Sequence, residues 1–127
     1  MKDRSFGRFQ GTGLTVITQD KVFHELWVSL ASLLRSYTAA HGLNGNRQAM
    51  VELGEHRITV RHGERWLELE RQVAIVNWKR EDATEGVLEL TEDGRLRDPR
   101  SQNRDLGHPD EAEMDLKAEA WARELMR

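Results

Sequence analysis

The chain has 127 residues, no cysteine, 32% charged side chains and a net charge of −3: long enough for one core, too short for two independent ones. The lack of cysteine excludes disulfides, thiolate chemistry and the commonest zinc ligand. Charge is divided unevenly, +3 over residues 1–63 and −6 over residues 64–127, which is not the basic balance of a dedicated nucleic-acid binder.

Residues 1–13 are polar and without period, and read as a loose N-terminal arm, followed by a short edge strand at Leu14–Thr18. From Gln19 to His41 the pattern turns helical. Val22, Phe23, Leu26, Trp27, Leu30, Leu33, Leu34 and Tyr37 recur at spacings of three and four, which lays them on one stripe. Thr18 or Asp20 is the expected cap, and Gly42 the expected stop.

Gly54-Glu55 and Gly63-Glu64 then punctuate alternating runs, and each suits a two-residue hairpin turn with glycine first. The first turn predicts Val51 opposite Ile58 and Glu52 opposite Arg57. The second predicts Val60 opposite Leu67, Ile58 opposite Leu69, Arg57 opposite Glu70 and Arg61 opposite Trp66. Apolar residues then meet on one face and opposite charges on the other, an agreement that a one-residue slip destroys.

Val73–Lys79 has strand composition but no turn residue before it, so it either turns back or runs on past a bulge. Gly86–Thr91 is a further strand, and Glu92-Asp93-Gly94 is a three-residue loop that sets Leu96 opposite Leu90. Residues 97–108 read as a polar loop. The expected last element is a helix over Pro109–Met126, with a narrow stripe of Met114, Ala118, Trp121 and Leu125. The predicted fold class is α+β: a single domain over residues 1–127, with a long N-terminal amphipathic helix on an antiparallel meander of about five strands and a C-terminal helix. The predicted core face is Val51, Leu53, Ile58, Val60, Leu67, Leu69, Leu88 and Leu90.

Catalytic signatures are missing, which favours a protein that is not an enzyme, and no cofactor is implied. His56 and His62, placed on one strand, would lie ~20 Å apart and could not share a metal ion. His41 sits near the end of the first helix and His108 precedes Pro109, where it could cap the last helix weakly; neither has an identifiable partner. The most suggestive surface gathers Arg57, Arg61 and Trp66 on the polar side of the meander, where an arginine beside a tryptophan can stack on a partner. Packing of Trp66 under Arg61, or under Trp121, is the competing reading.

Three functions follow in order. The first is a non-catalytic protein-interaction or adaptor module, a homodimer in one form, using the sheet edge or the stripe around Trp121. The second is a small-molecule binder with an apolar pocket near Trp27, Tyr37 and Trp78. The third, disfavoured by charge, is a single-stranded nucleic-acid binder using Arg61 and Trp66. No stretch resembles a signal peptide and none approaches ~20 apolar residues, so the expectation is a cytoplasmic protein with no membrane partner.

Overall fold

A computed structural model describes residues 12–42, 48–103 and 108–127. Helix α1 (Thr12–His41) precedes seven strands: β1 (Met50–Leu53), β2 (Arg57–His62), β3 (Arg65–Gln72), β4 (Ile75–Arg80), β5 (Glu85–Leu90), β6 (Arg95–Asn103) and β7 (His108–Glu113). Helix α2 (Met114–Leu125) follows. Every strand pairs antiparallel with its sequence neighbours, giving one sheet in the order β1 to β7. The α+β architecture matches the sequence reading, with seven strands in place of about five.

α1 starts earlier than expected. Thr12–Gly13 and Leu14–Thr18 belong to it, so the arm does not extend to Gly13 and there is no edge strand; residues 1–11 lie outside the described residues. The β-branched residues of this stretch lower helix propensity by only a few tenths of a kcal/mol each. Lengthening an existing helix needs no new nucleus. Thr18 and Asp20 therefore lie within the helix rather than capping it. At the other end the Gly42 N–H bonds the carbonyls of Thr38 and Ala39 at 3.0 and 3.2 Å. Trp27, Leu30, Ala31 and Leu34 are fully buried along the predicted stripe.

The second hairpin has the predicted register, from Arg57 opposite Glu70 to His62 opposite Arg65. Gly63 takes φ 63°, as the first position of this turn requires. The first hairpin differs. Val51 faces Val60, Glu52 faces Thr59 and Leu53 faces Ile58, two residues from the expected pairing. The loop is longer than two residues, closed by the Gly54 N–H on the Arg57 carbonyl at 2.7 Å. A two-residue shift preserves the face of every side chain, because strand periodicity is two. Arg57 consequently faces Glu70 but not Glu52.

Residues 73–79 do turn back. The Gln72–Ile75 pair leaves Val73 and Ala74 as the turn, with Val73 at φ 53°. A β-branched residue there is a true outlier. It is held by the Leu90 N–H on the Ala74 carbonyl at 2.7 Å and by Arg71 Nη1 on the Val73 carbonyl at 2.9 Å. Leu90 faces Leu96 as predicted, around a loop with Gly94 at φ 84°.

The expected polar loop over 97–108 is strand over 97–103 and at His108, with residues 104–107 outside the described residues. Pro99 falls in the irregular stretch between Asp98 and Gln102, and Pro109 lies on the edge strand β7, the two settings a sheet tolerates for proline. The last helix begins at Met114 rather than Pro109, and the Gly94 carbonyl accepts its Met114 N–H at 2.9 Å.

Alternation puts Ile58, Val60, Leu67, Leu69, Val76, Leu88, Leu90 and Leu96 on one face, all buried. Val51 and Leu53 pack against them at the edge. On this face Arg71 meets Trp27 of α1, and Trp78 meets Trp121 of α2, so both helices cover the same side. Tyr37 donates to Asp115 at 2.5 Å and His41 pairs with Glu119 at 2.8 Å. Each pair advances by one turn, so α2 runs alongside the end of α1 in the same direction. Trp78 lies over Gly86, its cross-strand partner, where an added Cβ would sit 2.6 Å from the indole nitrogen. Replacing Gly86 by alanine should therefore cost about 1–3 kcal/mol by displacing Trp78, measured as a lowered urea midpoint with unchanged slope.

Candidate functional site

The sheet separates the four residues singled out from the sequence. Arg57, Arg61 and Trp66 lie on the outer face, whereas Trp121 is 5% exposed between α2 and the inner face. Trp121 meets Trp78 with ring centroids 6.4 Å apart, and Lys117 lies over it at 5.2 Å. The stripe on α2 is thus spent inside the chain: Met114, Ala118, Trp121, Ala122 and Leu125 are all buried. Trp121 has no surface to offer a partner, and it does not cover Trp66.

On the outer face, Arg57 Nη2 lies 2.8 Å from Glu70 Oε2. That hydrogen bond, reinforced by charge, holds the Glu70 carboxyl below its usual range and raises Arg57 through Glu70 and Glu68. Arg97 is paired with Glu89 in the same way further along the sheet. Arg61 is different: it is exposed and makes no ion pair or hydrogen bond with a described residue. It stands between Met50 on β1 and Trp66 on β3 in one cross-strand row. Met50 is 60% exposed and Trp66 36%. Glu81 fixes the strand beneath by accepting the Trp66 N–H at 3.0 Å.

On the inner face two arginines are buried, Arg71 and Arg80. Arg80 reaches Glu124 through Nη1 at 2.8 Å and Glu81 through Nε and Nη2, each at 3.3 Å. Burial opposes the charge of Glu81, but the Trp66 N–H and the Arg80 guanidinium outweigh it and leave its carboxyl below the ordinary glutamate value. Close by, the C-terminal end of α2 is held by Arg65, which donates to the Glu124 carbonyl at 2.7 Å, and by His62 Nδ1 on the Leu125 carbonyl at 3.1 Å. His62 is therefore a structural cap. His56 lies in the loop before β2, not on that strand, and His108 lies in β7 rather than beside a helix start.

Of the aromatics expected to line an apolar pocket, Trp27 is fully buried, Trp78 covers Gly86 and Tyr37 bonds Asp115. Sequence reasoning missed Arg71. Its signal was present: Leu67, Leu69 and Arg71 share one parity on β3, which sends a guanidinium to the face that buries both leucines. Among the described residues no group of three side chains could hold a metal ion, and no helix is long and apolar enough to cross a membrane.

Comparison of the chain with protein families, with curated proteins and with solved structures finds no match in any of the three.

Two measurements follow from these positions. Trp121→Ala should cost about 3–5 kcal/mol in urea unfolding, whereas Trp66→Ala should cost about 1 kcal/mol or less. The folded Glu81 carboxyl is more acidic than the unfolded one, so its stabilisation is present above the unfolded value and lost as pH falls through the folded value. Glu81→Gln should lower stability at neutral pH and flatten the further loss on acidification, read from urea midpoints along a pH series.

Proposed function

We propose that this chain is a non-catalytic protein-interaction module whose contact surface is the row Met50, Arg61 and Trp66 near the β1 edge of the outer face. The supporting observation is the state of Arg61. An exposed cation with no ion pair among the described residues, flanked by an exposed methionine and a partly exposed tryptophan, joins the residue types enriched in interface cores. Elsewhere on the face, Arg57 and Arg97 are already neutralised by Glu70 and Glu89. Among the described residues β1 is also an edge of the sheet, pairing with β2 alone, so a partner strand could extend it by main-chain bonds while the row supplies side-chain contacts.

A photo-crosslinking amino acid placed at position 66 should give one discrete protein adduct in cells, and the same residue at exposed Leu116 should not. Sedimentation of the purified chain then distinguishes a second copy from a different protein. Adducts that are absent at position 66, or identical at both positions, would sink the assignment.

A further inference from the structure

We propose that the β1 edge pairs with the β1 edge of a second copy of this chain, antiparallel, with the two-fold axis at Val51 and Met50 opposite Glu52 of the other copy. This rests on the reading of β1 as a binding edge and names its occupant. The outer-face row stays open to a different protein.

The two edges of the sheet are finished differently. β7 carries Pro109, which lacks an N–H, and the acids Asp110, Glu111 and Glu113, devices that discourage further pairing. β1 reads Met50-Val51-Glu52-Leu53, with one acid and neither proline nor lysine. The Gly54 N–H bonds the Arg57 carbonyl at 2.7 Å, which makes these two a hydrogen-bonded pair. Such pairs alternate along an antiparallel ladder, so Glu52 and Met50 spend their main-chain groups on Thr59 and Arg61. Val51 and Leu53 point theirs away from β2, and no strand among the described residues takes them up. The Val51, Leu53 and Ala49 side chains are only partly buried at the rim of the core.

A strand of four residues offers few main-chain bonds, so side chains must fix the register. Setting an outward residue against an inward one is excluded by parity, which leaves two-fold axes at Met50, Val51 or Glu52. An axis at Glu52 places two carboxylates directly opposite each other, which is destabilising. An axis at Met50 puts Arg61 of both copies in one row with no carboxylate between them. An axis at Val51 sets Val51 against Val51 and Leu53 against Ala49 on the inner face. On the outer face it extends the row Trp66, Arg61, Met50 to Glu52 of the second copy. Arg61 and that Glu52 lie two strands apart, about 9–10 Å between backbones, a gap their extended side chains close. Both are exposed, and neither side chain makes an ion pair or hydrogen bond with a described residue. Symmetry makes the pair twice. β1 is thus complementary to itself in this register, by charge outside and by apolar contact inside.

The test is sedimentation equilibrium of the full chain over a concentration series, beside Arg61→Glu, Glu52→Arg and an equimolar mixture of the two variants. The parent should show a monomer–dimer equilibrium. Each variant alone should raise the dissociation constant about tenfold or more, because it turns two opposite-charge pairs per dimer into two like-charge pairs. The mixture should recover parental association, since both pairs re-form across the seam; a disturbance within one chain predicts no recovery. Both variants stay net acidic, so bulk charge does not drive the mixing. Val51→Pro removes an outward N–H and no bond to β2, so it should be monomeric with its urea midpoint near the parent's. A parent that is monomeric at every concentration, a dimer indifferent to both charge reversals, or a mixture without recovery overturns the proposal. A monomer that still gives an adduct from position 66 to another protein leaves the contact row standing, whereas a dimer without that adduct does the reverse.

Discussion

One-sided burial is the constraint on which the molecule depends. Seven strands alternate their side chains, and both helices lie on the same side, so a residue's parity within its strand decides whether it meets protein or solvent. Ile58, Val60, Leu67 and Leu69 lie beneath the helices and are fully buried, together with Trp27, Leu30 and Leu34 of α1. Residues one position away, Arg57, Arg61, Glu70 and Trp66, line the opposite surface. The charge-rich composition is the expected counterpart of a protein only two layers thick.

This arrangement makes any polar residue of inward parity informative. Arg80 and Arg71 both occupy β-strand positions that the pattern assigns to the core. The chain resolves Arg80 by bringing in Glu81 from the next turn and Glu124 from α2, and the resulting network also helps to anchor the second helix. Arg71 receives an aromatic face and one carbonyl instead. Similar burial is thus compensated in two different ways, by carboxylates for Arg80 and by an aromatic face and a turn carbonyl for Arg71.

Much of the fold was legible because alternation and period carry it. The stripe of α1, the Gly63 hairpin and the Leu90–Leu96 pairing were all readable from local spacing. The Gly54 loop was misjudged by two residues, yet every face came out right because an even shift preserves parity. What escaped had no local mark. Val73 turns the chain without glycine or asparagine, since its neighbours Arg71 and Leu90 hold it there. β6 and β7 have few apolar residues because pairing, more than composition, makes them strands. Trp121 reads as available because a thin stripe shows nothing of what lies against it; Trp78 of β4 does. Of the candidate residues, the outward position of Arg57, Arg61 and Trp66 was legible by parity, and the burial of Arg71 follows from the same rule.

Strict neighbour-to-neighbour strand order also shapes how the chain reaches this state. Each hairpin closes a short loop, so the meander can assemble stepwise at little entropic cost. Docking of the two helices is of another kind: Tyr37–Asp115 and His41–Glu119 each join residues 78 apart. The long closure becomes cheap once the intervening strands have been ordered, which makes the helix pair a late clasp over an already zippered ribbon.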